Sequence, residues 1–298
     1  MVNLLAHSEP SELADFMNFI GLLVHRLKVR ASKLSEDHDE TFAVYQDAMF
    51  QVLDELITPL TTHISQLLGQ PTSGTDDALT HGESKKGYLN LLSSIMTSKL
   101  QGVFLSERTY LYPCRFLVSL IPLPVGNKGQ LEGLLEMMER LVIDLTDPAG
   151  QRSALQFLAR CVNAWAVPSP DGAPQALPGF ERFIYERLIP ATFRVLSLPE
   201  FNTKDGQVMM VRKLPTPINR SFTILTTRKV SYEIASFYQV VAKARGQETL
   251  DFFVSAFLPS QGWPQEMALD FVTKLRDLDN KTFKKYFTDI VRAAHGGS

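Results

Sequence analysis

The fold is decided by residues 131–165, which are LEGLLEMMERLVIDLTDPAGQRSALQFLARCVNAW. Apolar side chains recur every three or four positions on both sides of the central Asp147-Pro148 pair, which is the period of one helix face. Asp147 can cap a helix, and Pro148 suits the first helical position, where the backbone N–H needs no partner. The stretch therefore predicts two successive amphipathic helices joined by a short turn.

The same helical period extends over most of the chain. Turn-forming residues interrupt it at 70–81 and at 167–179, and both stretches are predicted to be loops. Residues 221–227 leave open whether they form a strand or a helix. Further helices are predicted at 13–27, 40–68 with Pro59 as a kink or break, 84–104, 180–188 followed by a kink at Pro190, 231–243, 248–257, 264–275 and 280–293.

The number of helices favours a repeat architecture. About a dozen helices over this length approach the spacing of about 40–47 residues per helix pair that HEAT-type repeats use. We therefore predict an all-α protein, a HEAT-like helical-repeat solenoid in which residues 1–298 form one domain and successive helices stack into a bent wall. No motif recurs at that period, so a helix bundle is the alternative.

Two segments do not fit the helical pattern. Residues 108–128 and 211–229 mix prolines with unpatterned apolar side chains, and we predict that both are irregular insertions. The second segment holds five basic residues and could be an RNA-binding loop. The favoured interpretation is an insertion without a role, or even translated intron sequence. The basic residues are Arg212, Lys213, Arg220, Arg228 and Lys229.

Composition excludes several classes of protein. The chain has 30 basic and 32 acidic residues, a net charge of -2 and 45% hydrophobic residues, which excludes disorder and a uniformly cationic nucleic-acid binder. Acidic residues predominate in residues 1–150 and basic residues in 151–298. Most of the basic excess in 151–298 comes from the second atypical segment. The two cysteines, Cys114 and Cys161, are too few for a disulfide scaffold, so we expect a reducing compartment. Without a secretory signal or a long apolar stretch, the sequence predicts a soluble protein.

Residue patterns that carry catalysis are missing from the sequence. It lacks GxSxG, HExxH and GxxxxGK[ST], and its six histidines include no pair four residues apart. His38 lies among acidic residues, but a solvated acidic turn explains that cluster better than a metal site does. We therefore predict that the protein is not an enzyme and that it needs no cofactor and no metal ion.

Basic side chains on the later helices are the remaining candidates for function. Ammonium and guanidinium groups along one wall of a solenoid would neutralise backbone phosphates of a nucleic acid. The alternative is an ordinary solvated helix face. The candidate RNA-binding residues are Arg152, Arg182, Arg187, Arg194, Lys204, Lys274, Lys281, Lys284 and Lys285.

Several stretches resemble a known family when they are taken together and in order. Residues 179–193 (GFERFIYERLIPATF) are similar to a segment near the C-terminus of the exportin-T family. The resemblance covers most of the chain and is specific as a whole, although each piece is only an amphipathic helix. Its other pieces are residues 15–26, 147–152 leading to 162–165, 257–259 and 283–287.

The resemblance implies a function in tRNA export. Members of this family are HEAT-repeat karyopherins that carry tRNA out of the nucleus together with Ran-GTP, and they shuttle between nucleus and cytoplasm. The chain looks like the C-terminal third, which in this family contributes to cradling the tRNA, whereas Ran-GTP is gripped chiefly by N-terminal repeats. Nuclear pore proteins are further candidate partners, and a membrane is not. The alternative is a helical-repeat scaffold that binds proteins and not RNA.

Overall fold

A computed structural model describes residues 10–34, 39–71, 74–107, 126–167, 177–198, 201 and 218–296. All regular structure within these ranges is helical, which confirms the predicted all-α class. A single 3₁₀ turn, Gln101–Leu105, accompanies the helices. The helices are α1 Pro10–Leu34, α2 Asp39–Gly69, α3 Thr75–Thr97, α4 Lys128–Ile143, α5 Pro148–Trp165, α6 with the parts Phe180–Phe183, Ile184–Leu188 and Ile189–Ser197, α7 Ile218–Arg245, α8 with the parts Gln247–Asp251, Phe252–Phe257 and Leu258–Ser260, α9 Gln265–Asp277 and α10 Asn280–Gly296.

The chain divides into two compact units, Met1–Met137 and Met138–Ser298. In the first unit α1 packs along α3, and in the second α5 packs along α7, so a helix meets the one after next. Packing between alternate helices is typical of helical repeats, and the fold fits the HEAT-type repeat fragment that the sequence predicts. The assignment of residues 1–298 to one domain stays a prediction.

Close helix packing in the first unit depends on glycine. A Cβ atom at Gly87 of α3 would lie 3.0 Å from the carbonyl oxygen of Ala14 on α1, and one at Gly21 would lie 3.5 Å from Cα of Leu91. Between α2 and α3, the hydroxyl groups of Thr61 and Tyr88 are 2.6 Å apart and buried. Small residues thus bring α1 against α3, while a buried polar pair fixes α3 against α2.

Asn127 holds the end of the first atypical segment in place. Its side-chain amide is buried, donates to the Val103 carbonyl oxygen at 2.9 Å and to Asp54 Oδ1 at 2.9 Å, and its Oδ1 accepts from Thr58 at 2.5 Å. Residues 108–125 lie outside the described residues. The prediction that residues 108–128 are irregular is therefore wrong for Lys128, which begins α4, whereas Gly126 and Asn127 form a bend and a turn.

The first unit also differs from the predicted boundaries around α3. Residues 70–81 were predicted to be a loop, but α3 begins at Thr75, since the acidic first turn suits a helix N-terminus. The helix ends at Thr97 and is capped by Ser98, and the next residue, Lys99, has a left-handed φ of 59°. The Leu100 amide donates to the Ile95 carbonyl at 3.1 Å, which is the hydrogen bond of a Schellman C-cap.

Aromatic side chains form the core of the second unit. Tyr238 of α7 is fully buried and packs edge-on against Phe253 and Phe287, at centroid distances of 5.4 and 5.6 Å. Phe271 of α9 meets Phe253 in the same manner at 5.4 Å. Tyr238 thus lies at the junction of α7, α8 and α10.

Two wide helical turns occur just before prolines. The stretches Ile184–Leu188 and Phe252–Phe257 are π-helical, and each is followed two residues later by a proline, Pro190 or Pro259. Proline has no N–H to donate and its ring pushes away the carbonyl four residues earlier, so a wider turn relieves both problems. The irregularity predicted at Pro190 takes this form. At Pro59, in contrast, α2 continues without interruption.

The second atypical segment is helical where it is described. Residues 211–217 lie outside the described residues, but α7 begins at Ile218 and includes 221–227. The prediction that residues 211–229 are irregular is therefore wrong from Ile218 onward, and no strand forms there. Among the described helices, none combines the length and the hydropathy needed to span a bilayer.

Candidate nucleic-acid interface

The last helix presents a row of basic side chains because its opposite side is buried. Phe283, Phe287 and Val291 of α10 are at most 6% exposed and face the aromatic core. Lys281, at i, and Lys285, at i+4, lie on the exposed side, and both side chains are open to solvent. The amphipathic pattern predicted for this helix is therefore confirmed, and it directs the lysines outward.

A carboxylate caps the start of this helix. Asp279 Oδ1 accepts the backbone N–H groups of Lys281 and Thr282 at 2.8 and 2.9 Å, and Oδ2 accepts the Thr282 hydroxyl at 2.7 Å. These hydrogen bonds, led by the one from the Thr282 hydroxyl, lower the pKa of the Asp279 carboxyl. The cap fixes the first turn and hence the direction of Lys281.

Three of the predicted residues lie at neighbouring positions on α10. Within the described part of the chain, Lys281, Lys284 and Lys285 form no ion pair, and Lys284 is half-buried while the other two are exposed. Arg292 lies about two helical turns after Lys285 and pairs with Asp289 at 3.2 Å. We name the group of Lys281, Lys284 and Lys285 the α10 lysine cluster.

The three arginines of α6 have different surroundings. Arg182 Nε pairs with Glu186 at 2.8 Å, and Arg187 pairs with Glu139 of α4 at 2.7 Å. The Arg187 guanidinium also lies 5.6 Å from the ring centre of Phe183, a cation–π contact. Arg194 is exposed and forms no hydrogen bond or ion pair with the described residues. Arg194 is thus the arginine of this helix that is best placed to meet a phosphate.

The other predicted residues are less accessible or lie elsewhere. Arg152 is half-buried, and its Nε atom is shielded from solvent. Lys274 of α9 lies 3.9 Å from Asp270, which also accepts a hydrogen bond from Tyr286 at 2.7 Å. Lys204 lies outside the described residues. Among the predicted residues that the structure describes, Lys281, Lys284 and Lys285 are therefore the set that combines neighbouring positions on one helix with the absence of an ion pair.

Lys243 is a basic residue that the sequence analysis did not single out. It lies in the last turn of α7, is exposed, and forms no ion pair within the described ranges. Its only signal in the sequence is its place near a helix C-terminus, where a positive charge is ordinary. The sequence pattern therefore does not distinguish Lys243 from an ordinary surface lysine that stabilises a helix C-terminus.

Groups that could support catalysis are not found together in the described residues. No set of three or more His, Cys, Asp or Glu side chains there is placed to hold a metal ion. The Cys161 thiol is fully buried, and burial raises its pKa well above the ordinary value, so it remains protonated and inert.

The amino-acid sequence matches one family of known proteins over most of its length. The exportin-T family model matches residues 39–295. Over 99% of the chain, the sequence is 48% identical to exportin-T of Laccaria bicolor and 46% identical to that of Coprinopsis cinerea. Exportin-T of Mycosarcoma maydis is 33% identical over 99% of the chain. The chain spans 23%, 23% and 22% of the length of these three relatives.

Proposed function

Since the chain belongs to the exportin-T family, we propose that it is the tRNA-contacting part of a nuclear export receptor and not an enzyme. The observation that carries this proposal is the α10 lysine cluster, whose three positive charges lie on one helix and form no ion pair with any residue that the structure describes. Ammonium groups in this state can each neutralise a phosphate and release its counterion.

The mode of recognition follows from the kind of side chain present. Lysine is a point charge on a flexible stem, so it positions a backbone and reads no base sequence. Contact with the phosphates of an A-form helix would select tRNA by its shape. Exposed Arg194 would add a further phosphate contact.

The remaining partners are those of a shuttling receptor. Ran-GTP would bind chiefly to N-terminal repeats outside this chain, and tRNA and Ran-GTP would each tighten the binding of the other, because such coupling is reciprocal. The receptor would move between nucleus and cytoplasm, with nuclear pore proteins as further partners.

A gel-shift titration with tRNA tests this function. Contacts with three phosphates make the logarithm of the affinity fall with the logarithm of salt concentration at a slope of roughly -2.1 to -2.7, so affinity should drop about 20- to 40-fold between about 50 mM and about 200 mM salt. Absence of a tRNA complex at the lower salt concentration, with chain shown to be folded by circular dichroism, would contradict the proposal.

A further inference from the structure

A surface pocket of about 650 Å³ opens in the second unit, and Lys281, Lys284 and Lys285 are not among its lining residues. It lies where α7 ends, α8 begins, α9 ends and α10 begins. We call its aliphatic lining residues the floor, and its two exposed cationic side chains, Lys243 and Arg276, the rim. This volume is within the range of ordinary ligand sites. The apolar floor consists of Val240, Leu250, Leu275 and Leu278.

One wall of the pocket is fixed before anything binds. The Gln239 side-chain amide donates to the Leu278 carbonyl oxygen at 2.9 Å, and the Asn280 amide donates to Gln239 Oε1 at 2.9 Å. These bonds join α7 to the turn between α9 and α10. A preformed wall lowers the entropy that a ligand would otherwise lose in ordering it.

The rim is complementary to carboxylates. No acidic residue lines the pocket. Arg276 is held by Asp277 through Nε and Nη2, at 2.7 and 3.0 Å, which uses two of its five N–H donors and fixes the direction of the others. Lys243 has no ion pair within the described part of the chain. Lys243 can therefore accept an added negative charge, and Arg276 keeps three N–H donors with which it can hydrogen-bond a second carboxylate.

The lining is poorly suited to RNA. Pockets for unpaired nucleotides commonly use aromatic side chains on which bases stack, and no aromatic side chain lines this one. A phosphodiester backbone would also leave the apolar floor without a partner. A peptide satisfies both parts of the pocket, because it can place an aliphatic side chain on the floor and carboxylates at the rim.

We propose that this pocket is a docking site for a short acidic segment of a partner protein, with a leucine-like side chain on the floor and its acidic side chains at Lys243 and Arg276. The site is independent of the α10 lysine cluster, so the receptor would hold a protein segment and tRNA through different residues of the same unit.

Selection of short random peptides displayed on phage against the folded chain tests this site. The enriched peptides should combine Asp or Glu with Leu, Ile or Val. Fluorescence polarisation with one enriched, labelled peptide should then show about tenfold weaker binding to Lys243→Glu, since like charges face each other at the rim. Arg276→Gln should weaken the same peptide less, because it removes a charge without reversing it.

Lys285→Glu is the matched control, since it reverses an exposed lysine of α10 outside the pocket lining. Lys285→Glu should leave peptide binding unchanged and weaken tRNA binding. Lys243→Glu should weaken peptide binding and leave tRNA binding unchanged. Enrichment of no peptide, enrichment of peptides without acidic residues, or equal peptide binding by wild type and Lys243→Glu would overturn the proposal. The proposal would also be overturned if tRNA competes with the peptide and Lys243→Glu weakens tRNA binding as well. A wild-type chain that fails to bind tRNA affects only the export function, because the peptide measurement stands alone.

Discussion

The hydroxyl groups of Thr192 and Tyr238 lie 2.9 Å apart, and both side chains are fully buried. Thr192 gives its only hydroxyl proton to the Ile189 carbonyl oxygen at 2.8 Å, so Tyr238 must be the donor between them. Thr61 and Tyr88 repeat this arrangement in the first unit. Burial raises the pKa of both tyrosine hydroxyls, which stay protonated and able to donate.

Thr192→Val should therefore destabilise the protein more than Tyr238→Phe does. Valine leaves the buried Tyr238 hydroxyl without an acceptor, which costs about 1–3 kcal/mol, whereas phenylalanine leaves Thr192 bonded to Ile189 and costs about 0.5–1.5 kcal/mol. Urea unfolding of both single variants and the double variant gives the coupling free energy. A Thr192→Val variant no less stable than Tyr238→Phe would contradict the assigned donor.

Two glycines of α3 should respond to alanine in opposite ways. At Gly82 the new Cβ meets nothing within 4 Å, so Gly82→Ala should stabilise the helix by up to about 1 kcal/mol. At Gly87 the Cβ would lie 3.0 Å from the backbone oxygen of Ala14, so Gly87→Ala should be less stable than Gly82→Ala by about 1–3 kcal/mol. Thermal unfolding measures both. Equal gains would show that α1 and α3 separate easily.

Lys99→Gly should increase stability. Lys99, the residue after the C-cap of α3, has a left-handed backbone, which costs a residue with a Cβ about 1–2 kcal/mol. Part of the gain is lost to the greater entropy of unfolded glycine, so about 0.5–1 kcal/mol should remain. Chemical denaturation should show a higher midpoint for the variant. The neighbouring substitution Ser98→Gly is the control for backbone strain, since the φ of Ser98 is negative and glycine relieves no left-handed conformation there.

The cap of α10 should depend on pH. The folded-state pKa of Asp279 is lowered, so its contribution to stability is present above the unfolded pKa and is lost as the pH falls through the folded pKa. Asp279→Ala should lower the melting temperature near neutral pH, and the difference from wild type should disappear as the pH falls from about 7 to about 2. Asp279→Asn retains a cap that does not titrate, so its melting temperature should follow pH less steeply than that of wild type.

Removal of two lysines from the α10 lysine cluster should change how tRNA binding responds to salt. Lys281→Ala with Lys285→Ala removes two phosphate contacts, and each loss should make the salt slope shallower by about 1. Lys86→Ala is a suitable control, because Lys86 is also an exposed helical lysine but lies on α3 in the other unit. A slope that both variants share with wild type would exclude these lysines from the interface.

Much of the helix pattern could be predicted from the sequence because burial follows the helical period. The turn at Asp147 is one confirmed example: its carboxylate accepts the Gly150 N–H at 2.9 Å, and Pro148 begins α5. Residues 75–81 were missed because Gly and Thr indicated a loop, although the acidic residues that follow Thr75 suit a helix start. Local propensity alone does not decide between a loop and a helix start when both are indicated by the same few residues.

The candidate site was harder to predict because charge in a sequence does not reveal its partners. Arg187 and Lys285 both count as one positive charge, yet the first faces Glu139 from another helix and the second is unpaired within the described residues. Pairs between distant segments depend on tertiary packing, which a helical period does not specify. The pocket beside Lys243 has the same origin, since it forms only where four helix ends meet.

The π-helical stretch of α6 holds one residue more than an α-helix needs for the same hydrogen-bonded turn. Deleting one residue between Ile184 and Leu188 would restore ordinary helical geometry without ending the helix. The residues on the N-terminal side would then keep nearly the same faces relative to Arg194, because the wide turn accommodates the one residue that is removed. The stretch before Pro259 offers the same freedom. Changes of length by a single residue are therefore better tolerated at these two places than within α5, where the same deletion would turn buried side chains toward water.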